Sequence, residues 1–287
     1  MPIPSNWKTA VLLADFPGQN PGTPFLEVYG ETLLERTFHK ARAFFDKIFI
    51  VASSLRIKSD LERKLSDADV ILNLKNKGLL GDILAGLKAC TSDYAFIGTC
   101  NMPFLNKKVL NHLFSNLNET QAVIPKFVNG QIEPLHSVYK TQPTIRALQD
   151  AIGDDKKEAI NFIQNISQVN YLPVGELSDF DKKLETFFKV KSEQQFSIVK
   201  DRFKKKVYNK RLKKADHLCS GIIKENETNN TIYFKVPGTD ETHDVTFNKR
   251  KNNWICDCKY YTMKACYCSH ILAAQKCCGK ESGGKND

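Results

Sequence analysis

Nine cysteines are spread unevenly along this 287-residue chain: Cys90 and Cys100 stand apart, and the other seven fall between Cys219 and Cys278. The densest run is WICDCKYYTMKACYCSHILAAQ, residues 254–275. Cys256 and Cys258 are two apart, so on a strand their thiols would project from one face. Cys268 and His270 repeat that spacing just before a short apolar helical stretch, residues 271–275. Three thiolates and an imidazole suit tetrahedral zinc, which deprotonates the thiols it binds. Cys266 offers a further thiol two residues before Cys268, and spacing alone leaves both open. A closed four-ligand set is structural, so such a metal holds a fold and does no chemistry. Clustered cysteines used this way predict a reducing compartment, and with it a cytoplasmic protein.

The elements around this cluster form a module of their own. The segments HLCSGIIKE, TIYFKV, HDVTFNK and NNWICDC read as short strands of a β-rich domain over residues 216–287. Ahead of them, residues 191–215 read as one basic helix. Phe196, Val199, Phe203 and Val207 fall on one apolar stripe, and nine Lys or Arg against one Asp lie between Val199 and Lys214. Charge divides the chain in the same place. Residues 1–190 hold 22 basic against 21 acidic side chains, and residues 191–287 hold 20 against 11. A partner for the tail is therefore acidic, with nucleic acid and an acidic protein surface both fitting the charge.

Residues 1–190 alternate β-branched runs with amphipathic stretches. Strands are predicted at 10–14, 47–53, 69–73, 94–100, 121–127, 134–140 and 168–174, and helices at 32–45, 56–66, 81–90, 106–117, 143–152, 156–166 and 179–190. The early strands are nearly continuous apolar runs, as a parallel sheet covered on both faces requires. The expected fold is a three-layer, Rossmann-like α/β sandwich with its ligand at the carboxyl ends of the strands, followed by a small ββα zinc module. With 41% hydrophobic and 26% charged residues, the composition excludes wholesale disorder. No apolar run approaches the ~18 residues of a membrane span. The apolar stretch at 10–14 runs into Asp15, too soon for a signal peptide.

Two resemblances follow from these motifs. The C-terminal segment resembles a SWIM zinc finger: CxC, a variable spacer, then CxH and a small apolar helix. That likeness selects Cys256, Cys258, Cys268 and His270 as the ligands of Zn²⁺ and leaves Cys266 out. The body, through LLAD, FLEVYGETLLERTFHKA, GLLGDILAGLKAC, YAFIGTCNMPFL and EPLHSVY, resembles the molybdenum cofactor guanylyltransferases over residues 10–190. The likeness implies nucleotidyl transfer from GTP, with Mg²⁺, onto a phosphorylated acceptor. It places Leu13, Ala14, Gly18, Gly22 and Thr23 on the nucleotide-binding loop and Asn101 where the family has its metal carboxylate.

The loop departs from that family. Asp15 stands where a glycine should approach phosphate, Pro17, Pro21 and Pro24 lack N–H donors, and no Lys or Arg occurs between Lys8 and Arg36. Asn101 brings an oxygen but no charge, whereas Mg²⁺ prefers carboxylate. The expectation is a nucleotidyltransferase-like body with weakened electrostatics, or a catalytically impaired adaptor whose tail makes the contacts. Among single residues, His136 reads as a core or cleft histidine, Cys100 as packing, and Glu35 with Arg36 as a solvated helix pair.

Overall fold

In the TAVLL pentapeptide of β1 (Thr9–Leu13) every side chain is buried. Ala10 and Leu12 face one apolar core, Val11 and Leu13 the other. A strand covered on both faces has no solvent side to mark with polar residues, which is why the run is continuously apolar. The computed structural model describes residues 8–14, 23–28, 31–65, 68–73, 77–264 and 267–278. The chain forms two compact units, Met1–Phe196 and Ser197–Asp287.

The first unit continues through a two-residue hairpin, β2 (Glu27–Val28) and β3 (Glu31–Thr32), into α1 (Leu33–Arg42) and β4 (Lys47–Ala52). Next come α2 (Leu55–Lys64), β5 (Asp69–Leu72), α3 (Gly78–Ala89), β6 (Tyr94–Thr99) and α4 (Lys107–Ser115). Then follow β7 (Ala122–Lys126), β8 (His136–Lys140), α5 (Thr141–Gly153), α6 (Ala159–Ile163), β9 (Val169–Pro173) and α7 (Val174–Leu177). Seven strands form one sheet in the order β5-β4-β1-β6-β8-β7-β9. All its pairs are parallel except those of β8, which runs against both β6 and β7. Leu34, Phe38 and Ala41 of α1, Leu61 of α2 and Val109, Leu110, Leu113 and Phe114 of α4 fill one face. Leu80, Ile83 and Leu87 of α3, Leu148 of α5 and Phe162 of α6 fill the other. Gly86 lets α3 approach the sheet, because a Cβ there would collide with the Val11 side chain.

Two expectations need correction. Residues 179–190 are not a helix: only a three-residue turn, Glu185–Phe187, is present, with Leu184 in the left-handed region at φ 50°. Tertiary contacts decide this. Asp181 accepts from the Thr186 N–H at 2.9 Å, Phe187 packs edge-on to Phe127 and His136, and Val190 donates to the Asn101 carbonyl at 2.9 Å. Glu35 and Arg36 are not a solvated pair either. Glu35 closes a capping box with Thr32 at the start of α1, while Arg36 donates to the Val28 carbonyl and pairs with Glu31 at 3.4 Å.

The 26-residue helix α8 (Glu193–Leu218) begins at the boundary between the units. Phe196, Val199 and Phe203 of its apolar stripe are buried. Beyond it, β10 (Ile223–Glu227), β11 (Thr231–Pro237), β12 (Thr242–Asn248) and β13 (Asn253–Cys256) form an antiparallel sheet in sequential order. All five residues of β10 are exposed, and a bulge interrupts its pairing between Lys224 and Asn226. Two helices follow, α9 (Lys259–Lys264) and α10 (Ser269–Cys277). The expected ββα set is present as β12, β13 and α10, extended by the remaining strands and α9. Among the described residues no helix is long and apolar enough to cross a membrane.

Candidate metal centre and nucleotide-binding edge

In the second unit β13 alternates exposed and buried residues, turning Trp254 and Cys256 inward. The strand ends there. Cys258 therefore does not share a strand face with Cys256, as the spacing predicts, but stands at the head of α9. The chain turns, and the two thiols converge all the same. Cys268 is the N-cap of α10 and His270 lies in its first turn. The four ligand atoms of Cys256, Cys258, Cys268 and His270 lie within 4.8 Å of one another, and all four residues are buried. The Cys256 Sγ to His270 Nδ1 separation is 3.8 Å. A tetrahedral zinc site with Zn–S of ~2.3 Å has edges of about 3.6–3.8 Å, so this donor set fits such an ion.

Each sulfur also receives a backbone N–H: Cys258 N to Cys256 Sγ, Tyr261 N to Cys258 Sγ and Ile271 N to Cys268 Sγ, each 3.4 Å. Such donors stabilise negative charge on sulfur. The hydrogen bond from the Cys256 thiol holds Cys268 well below the ordinary thiol range, against its own burial, and Cys256 is raised in exchange. The His270 ring lies 4.2 Å from that of His243, whose Nδ1 is 3.1 Å from Asp257 Oδ1. Sequence reading missed this second histidine, since nothing in the local spacing links 243 to 270. Cys266 lies outside the described residues. Cys256, Cys258 and Cys268 join one apolar core with Ile232, Phe234, Val245, Phe247 and Trp254.

In the first unit Leu13, Ala14 and Asn101 lie at the carboxyl edge of the sheet. The chain runs outward from β1 to β4 and β5 and returns to β6 on the other side of β1, so the topological switch point lies between β1 and β6. Leu13 ends β1 there and Ala14 follows it, both fully buried, and Cys100 donates from its backbone to the Leu13 carbonyl at 3.2 Å. Asn101 follows β6 at the same crevice and is 3% exposed. Thr99 Oγ1 donates to its side-chain oxygen at 2.6 Å. Thr23 is buried and opens the short turn Thr23–Phe25. Gly18 and Gly22 lie outside the described residues.

Two buried carboxylates neighbour this edge, and each already has a partner. Asp82 accepts from Asn73 Nδ2 at 2.7 Å, and Glu133 pairs with Lys189 Nζ at 2.5 Å. Lys189 precedes Val190, whose N–H binds the Asn101 carbonyl, so an ammonium and a carboxylate are tied to the Asn101 turn through adjacent residues. Sequence gave no sign of this pair, 56 positions apart in the chain. A neutral Asn101 occupied by Thr99, with both carboxylates paired, does not fit a Mg²⁺ site at that position. His136 is a core histidine. Its Nε2 lies 3.0 Å from Thr186 Oγ1, its Nδ1 has no hydrogen-bond partner among the described residues, and burial, with Lys189 nearby, pushes its pKa down to about 3.

Known proteins agree with this topology. The chain is 26% identical over 214 residues to a probable molybdenum cofactor guanylyltransferase of Methanosarcina mazei, covering 70% of this chain and 94% of that relative. It is 26% identical over 192 residues to the molybdenum cofactor guanylyltransferase of Syntrophotalea carbinolica, covering 66% and 88%. The crystal structure of molybdopterin-guanine dinucleotide biosynthesis protein A from Archaeoglobus fulgidus shares the fold, with a TM-score of 0.60 at 24% identity over 69% of this chain and 99% of that one. The family model of the MobA-like NTP transferase domain matches residues 22–168, just over half of the chain. The chain thus belongs to the MobA-like NTP transferase domain family.

Proposed function

We propose that this protein binds GTP at the β1–β6 crevice, transfers its nucleotidyl group poorly, and carries a zinc-held module of SWIM type. The proposed division is a nucleotidyltransferase domain over 1–190, a basic helix over 191–215 and a zinc module over 216–287. Leu13, Ala14, Gly18, Gly22 and Thr23 form the nucleotide-binding loop in this reading. The observation that carries it is Asn101, a neutral side chain hydrogen-bonded by Thr99 at the switch point where the reacting phosphates would lie. Family membership supports a nucleotide; the missing charge argues against efficient transfer, because electrostatic stabilisation is usually the largest contribution to such chemistry.

Isothermal titration of the full chain with GTP, with and without Mg²⁺, tests this. Binding that changes little with Mg²⁺ is expected, together with near-background transfer of GMP to a molybdopterin-type acceptor. Asn101→Asp alone leaves transfer weak, since no Lys or Arg lies between Lys8 and Arg36. Robust Mg²⁺-dependent turnover by the unmodified protein overturns the impaired reading, and no heat of GTP binding overturns the nucleotide reading.

A second reading concerns the tail, which acts in it as an adaptor for nucleic acid. The exposure of Lys204, Lys205, Lys206, Lys210, Lys213 and Lys214 along α8 favours it.

A further inference from the structure

Beside the metal ligands, the second unit holds a cavity of about 580 Å³ between the C-terminal half of α8 and the head of α9. Its size is that of a small-ligand site, ~300–1,000 Å³. Four cations line it, Lys210, Arg211, Lys214 and Lys259, against one carboxylate, Glu241. The other titratable wall groups are Tyr260, His243, already bonded to Asp257, and Cys258, Cys268 and His270 of the candidate metal centre. Lys210, Lys214 and Lys259 are exposed and make no ion pair among the described residues. Four cations facing one carboxylate leave this concave wall with an excess of positive charge, which an anion entering the cavity would offset.

Arg211 gives the wall a second property. Its guanidinium lies 3.6 Å from the centre of the Tyr260 ring, and its Nη1 donates to the Tyr267 carbonyl at 3.3 Å. A guanidinium plane pinned in this way is a platform for a flat, π-bearing group. Cations for phosphate beside a plane for stacking match a nucleotide unit. The charge also continues out of the cavity along α8, through Lys204, Lys205 and Lys206, where a lone mononucleotide would leave it unanswered. A strand following α8, whose 26 residues span about 39 Å, would answer it.

We propose that this cavity binds one nucleotide of a single-stranded nucleic acid, with the flanking phosphates running along α8. This rests on the nucleic-acid reading of the tail and gives it a site. Duplex bases are stacked on one another and present no face to Arg211, whereas those of a single strand do.

The test is fluorescence anisotropy of the full, zinc-loaded chain with a labelled single-stranded 12-mer across a salt series, beside its duplex. Zinc content, measured on every variant, reports folding. The single strand binds more tightly than the duplex. Lys210→Ala with Lys214→Ala weakens it about tenfold and flattens the log K against log salt slope by roughly 1 to 1.5. Lys213→Ala with Lys251→Ala, equal in charge but outside the cavity and off the Lys204, Lys205 and Lys206 run, has a smaller effect. Arg211→Lys keeps the charge and loses the preference for single strand over duplex. Equal losses from the two lysine pairs, equal binding of duplex, or equal competition by polyglutamate overturns the cavity assignment. No oligonucleotide binding even at low salt overturns the nucleic-acid reading of the tail itself.

Discussion

In the Met1–Phe196 unit the buried centre is made of aliphatic and aromatic side chains from six strands and several helices, and every helix contributes through its own apolar face. In the Ser197–Asp287 unit a four-stranded sheet and short helices enclose a smaller centre, in which Cys256, Cys258 and Cys268 stand beside Phe234, Phe247 and Trp254. The first can balance chain entropy by area alone. The second has a smaller centre, and thiols placed in it make sense when a metal binds them together. Zinc in such a module contributes on the order of 10–16 kcal/mol of apparent binding energy, more than the whole stability of many domains. Folding thus rests on apolar packing in the first unit, whereas in the second it would also draw on a metal held by Cys256, Cys258, Cys268 and His270.

Metal removal should give the largest effect. Chelation of zinc is expected to abolish the near-ultraviolet circular dichroism of the stacked Trp254, 4.5 Å from Phe247, while a fragment of residues 1–190 still melts cooperatively. A fragment without a cooperative transition would break the contrast. Elemental analysis sharpens it: Cys268→Ser loses the ion, and Cys266→Ser keeps one zinc per chain.

Acid should expose a weakness confined to the first unit. His136 is folded with a pKa of about 3 against an ordinary value near 6.5, so in that interval the unfolded chain takes up a proton that the folded chain refuses. Stability is unaffected above about pH 6.5 and falls by about 1.4 kcal/mol per pH unit below it. Urea titrations of the 1–190 fragment from pH 7 to 4 measure this, and His136→Gln should flatten the dependence. An equally steep loss in that variant would place the acid sensitivity elsewhere.

The smallest effect belongs to the α1 cap. Thr32→Ala should cost about 1 kcal/mol in the same urea assay. Burial works to raise the Glu35 pKa, but hydrogen bonds from Thr32 and the nearby Lys64 outweigh it and leave it lowered. The stabilisation is therefore present at neutral pH and disappears as pH falls through and below the ordinary carboxylate range, near 4.3. A Thr32→Ala penalty that does not shrink in acid would count against this capping geometry.

The central strands of the large sheet were legible because the sheet is covered on both faces there, and runs such as 48–52 and 95–98 are apolar throughout. The clustering of Cys256, Cys258, Cys268 and His270 was legible because their spacing brings pairs together whatever the backbone does between them. The 179–190 segment was misread because its helix-forming side chains answer to partners far away, Phe127, His136 and Asn101. The hairpin of β2 and β3 is two residues per strand, too short for any alternation to register. Glu133 with Lys189, and His243 with His270, are joined only by the fold.

The fully exposed strand β10 has a consequence for how copies of this chain meet. As the outer strand of its sheet it carries backbone donors and acceptors on a free rim, where another strand could add by hydrogen bonding. Its sequence IKENE holds a single apolar residue, and the bulge between Lys224 and Asn226 bends the rim out of register. Lys224 and Glu227 also form an ion pair on it. An incoming strand would have to break that pair and straighten the bulge, with almost no apolar surface to gain. The rim is thereby guarded against runaway sheet extension from the second unit.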